Sequence, residues 1–215
     1  MTQVKEQPGA GPVVVIGDLI GSRVVADRAG LHRSLARALE QVNGRWETDL
    51  RITVGDEYQG TVPSLGAATA ITLALRLALL PTYDVRHGIA RGETAVLDPA
   101  TRIEDGPGWW SARSAIEAAE QRAERAATST SRTAYRSASP DEPTGAVEAA
   151  LLARDELVGR MDERSLSVLR GLLSGRTQRE IADEEGVSAS AISQRVRHGG
   201  IGVVVSMSEW LEALT

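Results

Sequence analysis

The chain has 215 residues, 42% hydrophobic and 25% charged, with a formal net charge of −5. That is the make-up of a soluble globular protein with room for one medium domain and a small one. It has no cysteine, which excludes disulfides, thiolate metal sites and cysteine nucleophiles, and a reducing cytoplasm is the expected location. Met1 to Gly11 is polar and does not read as a secretory signal, and the apolar stretch 67–80 is interrupted by Arg76 and too short for a bilayer. No membrane partner is expected.

Residues 1–11 read as a loose tail. Val13–Gly17 is β-branched and apolar, a buried strand that ends in Gly17-Asp18. Leu31, Leu35, Ala38, Leu39 and Val42 recur at helical spacing behind an Asp27 cap, and Asn43-Gly44 is expected to end that helix. A second strand, Leu50–Val54, turns at Gly55-Asp56 into a third, Tyr58–Val62. Pro63-Ser64 opens a helix over about 65–80, stopped by Pro81, and Tyr83–Ala90 is a fourth strand. Asp98–Gly108 reads as a loop, Ser111 to about Ala127 as a helix, and Thr128–Ser139 as polar and weakly ordered. The order β-α-β-β-α-β predicts an α+β, ferredoxin-like palm, one antiparallel sheet with helices on one face. Pro140-Asp141-Glu142-Pro143 marks a boundary, and about Val147–Met161 is a connecting helix. The expected organisation is a tail at 1–11, a palm at 12–139, a linker and connecting helix at 140–161, and a small all-α unit at 162–215.

The two Gly-Asp tips carry the chemistry. If the first two strands share a sheet, Asp18 and Asp56 meet at one edge, where paired carboxylates suit a divalent cation, Mg²⁺ or Mn²⁺, and a phosphate-bearing ligand. The competing reading gives both acids to turn stabilisation. Trp109-Trp110 either stacks on a base or, more simply, puts one ring in the core and the other over a surface groove. His87, within a strand, reads as a packed or surface residue.

Three motifs in order, Asp18-Leu19-Ile20-Gly21-Ser22, Gly55-Asp56-Glu57-Tyr58 and Arg86-His87-Gly88-Ile89-Ala90-Arg91-Gly92-Glu93, resemble the palm of class III nucleotidyl cyclases and, more loosely, of GGDEF diguanylate cyclases. The chain is more similar to the SatD family, through Gly17-Asp18, Ser22-Arg23, Gly55-Asp56-Glu57-Tyr58-Gln59-Gly60 and Asp105-Gly106-Pro107-Gly108-Trp109-Trp110-Ser111-Ala112-Arg113. The cyclase resemblance implies metal ligation by Asp18 and Asp56. It also implies triphosphate binding by the backbone of Leu19, Ile20, Gly21 and Ser22, and a nucleotide-binding or catalytic Arg113. Ile52 and Trp109 stand where cyclases carry a base-reading Lys and an Asn, so binding without turnover is the more economical expectation.

Thr177 to Val196 reads as a helix-turn-helix, with Gly186 at the turn, Ser188 as cap, and Val187, Ile192 and Val196 facing inward. It resembles region 4 of sigma factors and LuxR-type readers. Arg176, Arg179, Ser188, Ser190, Ser193, Gln194 and Arg197 are the candidate contacts to duplex DNA. From Arg160 onward seven Arg face eight acidic residues, so contact rests on local placement, and a role in protein contacts competes. A closing helix over Ser206–Leu214 is expected to cover this unit's core with Trp210 and Leu211. The combined expectation is a homodimeric DNA-binding regulator whose palm senses a nucleotide or metal. The alternative is an active nucleotidyl cyclase or related nucleotidyltransferase with an accessory helix-turn-helix.

Overall fold

The computed structural model describes residues 11–100, 103–138 and 144–215. Most of the expected tail and the Pro140–Pro143 boundary lie outside the described residues. Five strands, β1 (Val13–Leu19), β2 (Arg51–Ile52), β3 (Tyr58–Val62), β4 (Val85–Arg91) and β7 (Thr133–Ser137), form one sheet in the order β2-β3-β1-β4-β7. β1 lies antiparallel between β3 and β4, and β7 adds to β4 in parallel. The sheet is therefore mixed, not purely antiparallel. β7 falls in the segment read as weakly ordered. Its Thr, Arg and Ser content hides the strand, but Ala134 and Tyr135 are fully buried against the rest of the fold.

Period-two alternation along β1 divides its side chains between two cores. Val13, Val15 and Leu19 face α1 (Arg28–Trp46) and α2 (Leu65–Leu79). Val14 and Ile16 face Trp109, Ala112 and Ile116 of α3 (Pro107–Ala123) on the opposite side. Helices thus cover both faces, which corrects the one-sided expectation. The close approach of α3 requires Gly88 on β4, where an added Cβ would lie 2.2 Å from the Ala112 carbonyl oxygen and 2.6 Å from the Ile116 nitrogen.

α1 also runs past its expected end, through Asn43-Gly44 to Trp46, and closes at Glu47 in a left-handed conformation. Asn43 is used differently. Its side chain donates to Leu50 O at 2.8 Å and accepts from Leu50 N at 2.9 Å, pinning the chain that leads into β2. The expected Asp98–Gly108 loop begins at the end of β5 (Ala95–Asp98), holds its hairpin partner β6 (Ile103–Asp105), and gives way to α3 at Pro107.

α2 is buried on almost every side, as a helix apolar all round must be. Its Leu73 and Leu77 enter a second core with residues of α4 (Gly145–Gly159), α5 (Glu163–Leu173), α6 (Gln178–Glu185), α7 (Ala189–His198) and α8 (Ile201–Glu212). Ile201 and Val204 of α8 close that core, whereas Leu211 belongs to the main core and Trp210 is 79% exposed. Neither therefore covers the C-terminal unit in the expected way. A buried ionic network ties α2 to β4, β7 and α4. Arg76 bonds Asp84 at 2.8 Å and Asp155 at 3.1 Å, and Asp155 also accepts from the backbone N–H of Arg132 and Thr133 at 2.7 and 2.6 Å. Burial pushes the Asp84 carboxyl up, but Arg76 and Arg132 outweigh it and hold it below its ordinary value.

Candidate functional site

The site is built around the last turn of β1. Gly17 faces Tyr58 and His87 across the ladder, and a Cβ there would sit 2.2 Å from the Tyr58 ring. Only glycine lets β1 pass the buried Tyr58 and deliver Asp18 beyond it. Asp18 then lies opposite Arg86 of β4. Its Oδ2 is 3.4 Å from Arg86 Nη1, which also bonds Glu120 of α3 at 2.9 Å. The other oxygen, Oδ1, is buried and has no hydrogen-bond partner.

Past the strand the chain closes a short 3₁₀ turn, Ser22–Val24, and on the other side the Gly55-Asp56 turn leads into β3. Between them is a cavity of about 300 Å³. Asp18, Asp56, Glu57 and Glu120 line it with Arg23, Arg86 and the segment Leu19–Ser22. The structure thus brings the two predicted acids to one cavity. Burial pushes the Asp18 carboxyl up from its ordinary value; Arg86 opposes this, and Glu120, Asp56 and Glu57 add to it.

Among the described residues, no three His, Asp or Glu side chains are grouped to hold a metal ion by themselves. The fit to a hard cation rests on Asp18. A buried carboxylate oxygen without a partner is an unused ligand position, and a second carboxylate, Asp56, lines the same cavity. Mg²⁺ is commonly held by one or two carboxylates, with phosphate and water completing its shell.

In the expected phosphate cradle, one backbone donor is already engaged. The Ile20 N–H is committed to Asp84 O at 2.9 Å, although Leu19, Ile20, Gly21 and Ser22 all line the cavity. Arg113 does not line this cavity. It pairs with Glu57 at 3.1 Å and lines the neighbouring cleft. Arg23, Arg86, Glu57 and Glu120 were missed from sequence as site residues. Arg86 and Glu120 join Asp18 only through the β1–β4 register and the packing of α3. Ile52 packs at the edge of the main core, and Trp109 is buried under α3. His87 is wholly buried with neither ring nitrogen bonded, set edge-on to Tyr58.

In the C-terminal unit, Ser188 caps α7 by accepting from Ala191 N at 3.2 Å, and its hydroxyl lies 2.9 Å from that of Ser190. Arg179, Ser190, Gln194 and Arg197 are exposed, and Ser193 is half-buried. Arg197 folds back onto Ser193 Oγ at 3.3 Å, and Arg176 pairs with Glu184.

From residue 12 to residue 212 the sequence matches the SatD family. The chain belongs to the SatD family. No curated protein matches it. Among solved structures, this SatD chain is similar to the guanylate cyclase domain of RhGC from Catenaria anguillulae in complex with GTP (19% identity, 50% of this chain and 72% of that one, TM-score 0.42). It is also similar to adenylate cyclases from Trypanosoma brucei in their monomeric state (19% identity, 54% and 72% covered, TM-score 0.42). No helix among the described residues of the SatD chain is long and apolar enough to cross a membrane.

Proposed function

We propose that this SatD protein binds a nucleoside triphosphate together with Mg²⁺ or Mn²⁺ at the tip of β1, and that nucleotidyl transfer with release of pyrophosphate is the reaction class open to the site. The observation that carries this is Asp18, half-buried with one oxygen unpartnered in a cavity that holds four carboxylates and two guanidiniums. Such a mixture suits neither a bare cation nor a bare polyphosphate. A metal–phosphate complex carries both charges and suits it well. Asp18 and Asp56 would hold the cation, which when bound neutralises phosphate charge and polarises the phosphoryl oxygens. Arg86 and Arg23 would take the phosphate oxygens. The resemblance of the three ordered motifs to a cyclase palm supports the transfer class. Full-length protein titrated calorimetrically with ATP, GTP, CTP and UTP, each with Mn²⁺, should bind at least one of them. Pyrophosphate release would place the protein among enzymes, binding without release would make it a sensor, and no binding would contradict the proposal.

The exposed face of α7 favours a second reading, in which Ser190, Gln194 and Arg197 contact duplex DNA, with Arg179 on a phosphate. Two observations weigh against it. Arg195 is spent on Asp162 at 2.8 Å, and Arg176 on Glu184. Selection from random duplexes tests it: an enriched sequence supports a DNA reader, and no enrichment leaves α7 to protein contacts.

A further inference from the structure

Among the described residues, α3 lies mainly over β1, β4 and β7 and falls short of covering β3 on its side of the sheet, where Thr61 is exposed. The gap is a cleft of about 400 Å³, floored by Ile16 and its ladder partner Gln59 and walled by Trp109, Trp110 and Arg113. Three features of this cleft are unexplained by folding. Trp110 is 63% exposed, a large apolar ring in water. Its orientation is nonetheless fixed, because Nε1 donates to Asp105 Oδ1 at 2.7 Å. Trp109 is only 7% exposed, and its Nε1 donor is buried without a partner, a state that native interiors rarely leave uncompensated.

The cleft also adjoins the Asp18 cavity. Ile16 and Asp18 are two residues apart on the same face of β1, about 7 Å. Arg113 in the cleft pairs at 3.1 Å with Glu57, which lines the cavity. A ligand with phosphates at Asp18 would extend its other end along α3 toward the tryptophans.

We propose that this cleft is a ring subsite within a single chain, taking a planar heteroaromatic group of nucleobase type that stacks on Trp110, with Gln59 at its edge. The inference rests on the reading of the Asp18 cavity as a metal–phosphate site. A nucleobase supplies what the cleft lacks, namely a flat face for the exposed indole, and the Gln59 amide can hydrogen-bond its polar edge.

The test separates ring from phosphate. Wild type, Trp110→Ala and Trp110→Phe are titrated with ATP, GTP and inorganic tripolyphosphate, each with Mn²⁺, by calorimetry and intrinsic tryptophan fluorescence. Trp110 is exposed and makes one hydrogen bond, so both variants should fold. The expected result is that a nucleotide binds wild type more tightly than tripolyphosphate does, and quenches its fluorescence. Trp110→Ala should weaken that nucleotide about 5- to 150-fold and leave tripolyphosphate unchanged, while Trp110→Phe keeps most of the affinity. Equal affinity of wild type for nucleotide and tripolyphosphate, or an unaffected Trp110→Ala, would overturn the ring subsite and leave the phosphate reading standing. Failure of all three probes to bind would overturn both. A change in sedimentation on Trp110→Ala with unchanged nucleotide affinity would assign this face to a second copy of the chain instead.

Discussion

His87 gives the fold a pH dependence that can be worked from its surroundings. The ring is wholly buried at the centre of the sheet, and neither nitrogen has a hydrogen-bond partner. Burial pushes its pKa down to about 3, helped by Arg154 and Arg76 and opposed by Asp84. The unfolded chain protonates this imidazole near 6.5. Between those values the unfolded state holds a proton that the folded state lacks. Stability is therefore full above the unfolded pKa and falls as pH drops through the window, by about 1.4 kcal/mol per pH unit. From pH 6.5 to 4.5 the loss should reach about 2–3 kcal/mol. The carboxylate of Asp84, lowered in the fold, contributes stability that is lost only as pH falls further, through its folded pKa. Asp18, raised in the fold, works in the opposite sense above its unfolded value, but equally in any His87 variant. Urea unfolding of wild type and His87→Leu at half-unit steps between pH 7 and 4.5 reads the difference. Leu fills the space and forfeits no hydrogen bond, so its midpoint should hold where wild type falls. Parallel curves for the two proteins would refute the argument.

Three further outcomes follow from packing and the buried network. Asp155→Ala leaves Arg76 without one of its carboxylates and the N–H groups of Arg132 and Thr133 without an acceptor; urea denaturation should show a loss of about 3–5 kcal/mol. Gly88→Ala drives a methyl into the α3 backbone and should cost about 1–3 kcal/mol or more. Gly44→Ala, in a helix interior with nothing within 4 Å of the added carbon, should instead stabilise by about 0.4–1 kcal/mol, seen as a raised Tm.

These residues also mark how far the sequence could be read. Local signals were sufficient wherever one strand or one cap decided the matter. The apolar run before Asp18, the Gly55-Asp56 turn, the helix opening at Ser64 and the Ser188 cap all stand where local chemistry puts them. Asn43-Gly44 misled because Asn43 serves a tertiary contact, the loop before β2, and the helix continues to Trp46, which packs against the main core. β7 was hidden because its strand character comes from pairing with β4 and not from its own composition. The acids of the site were legible as strand-tip residues. Arg86 and Glu120 were not, since their proximity to Asp18 depends on cross-strand register and on the side of the sheet that α3 occupies. Leu211 reads as a cap for the nearest helices, yet α8 carries it back past α2 into the main core.

Asp18 is the residue on which binding of a metal–nucleotide complex depends in this reading of the site. Thermal unfolding of wild type and Asp18→Asn, each with Mn²⁺ alone, nucleoside triphosphate alone and both together, tests it most directly. Glu120 still holds Arg86 in the variant, so the fold should survive the change. Wild type should be stabilised when both are present, by about 2.7 kcal/mol at one hundred times the Kd, and Asp18→Asn should not. Equal stabilisation of the two proteins, or none for wild type with any nucleotide–metal pair, would contradict it.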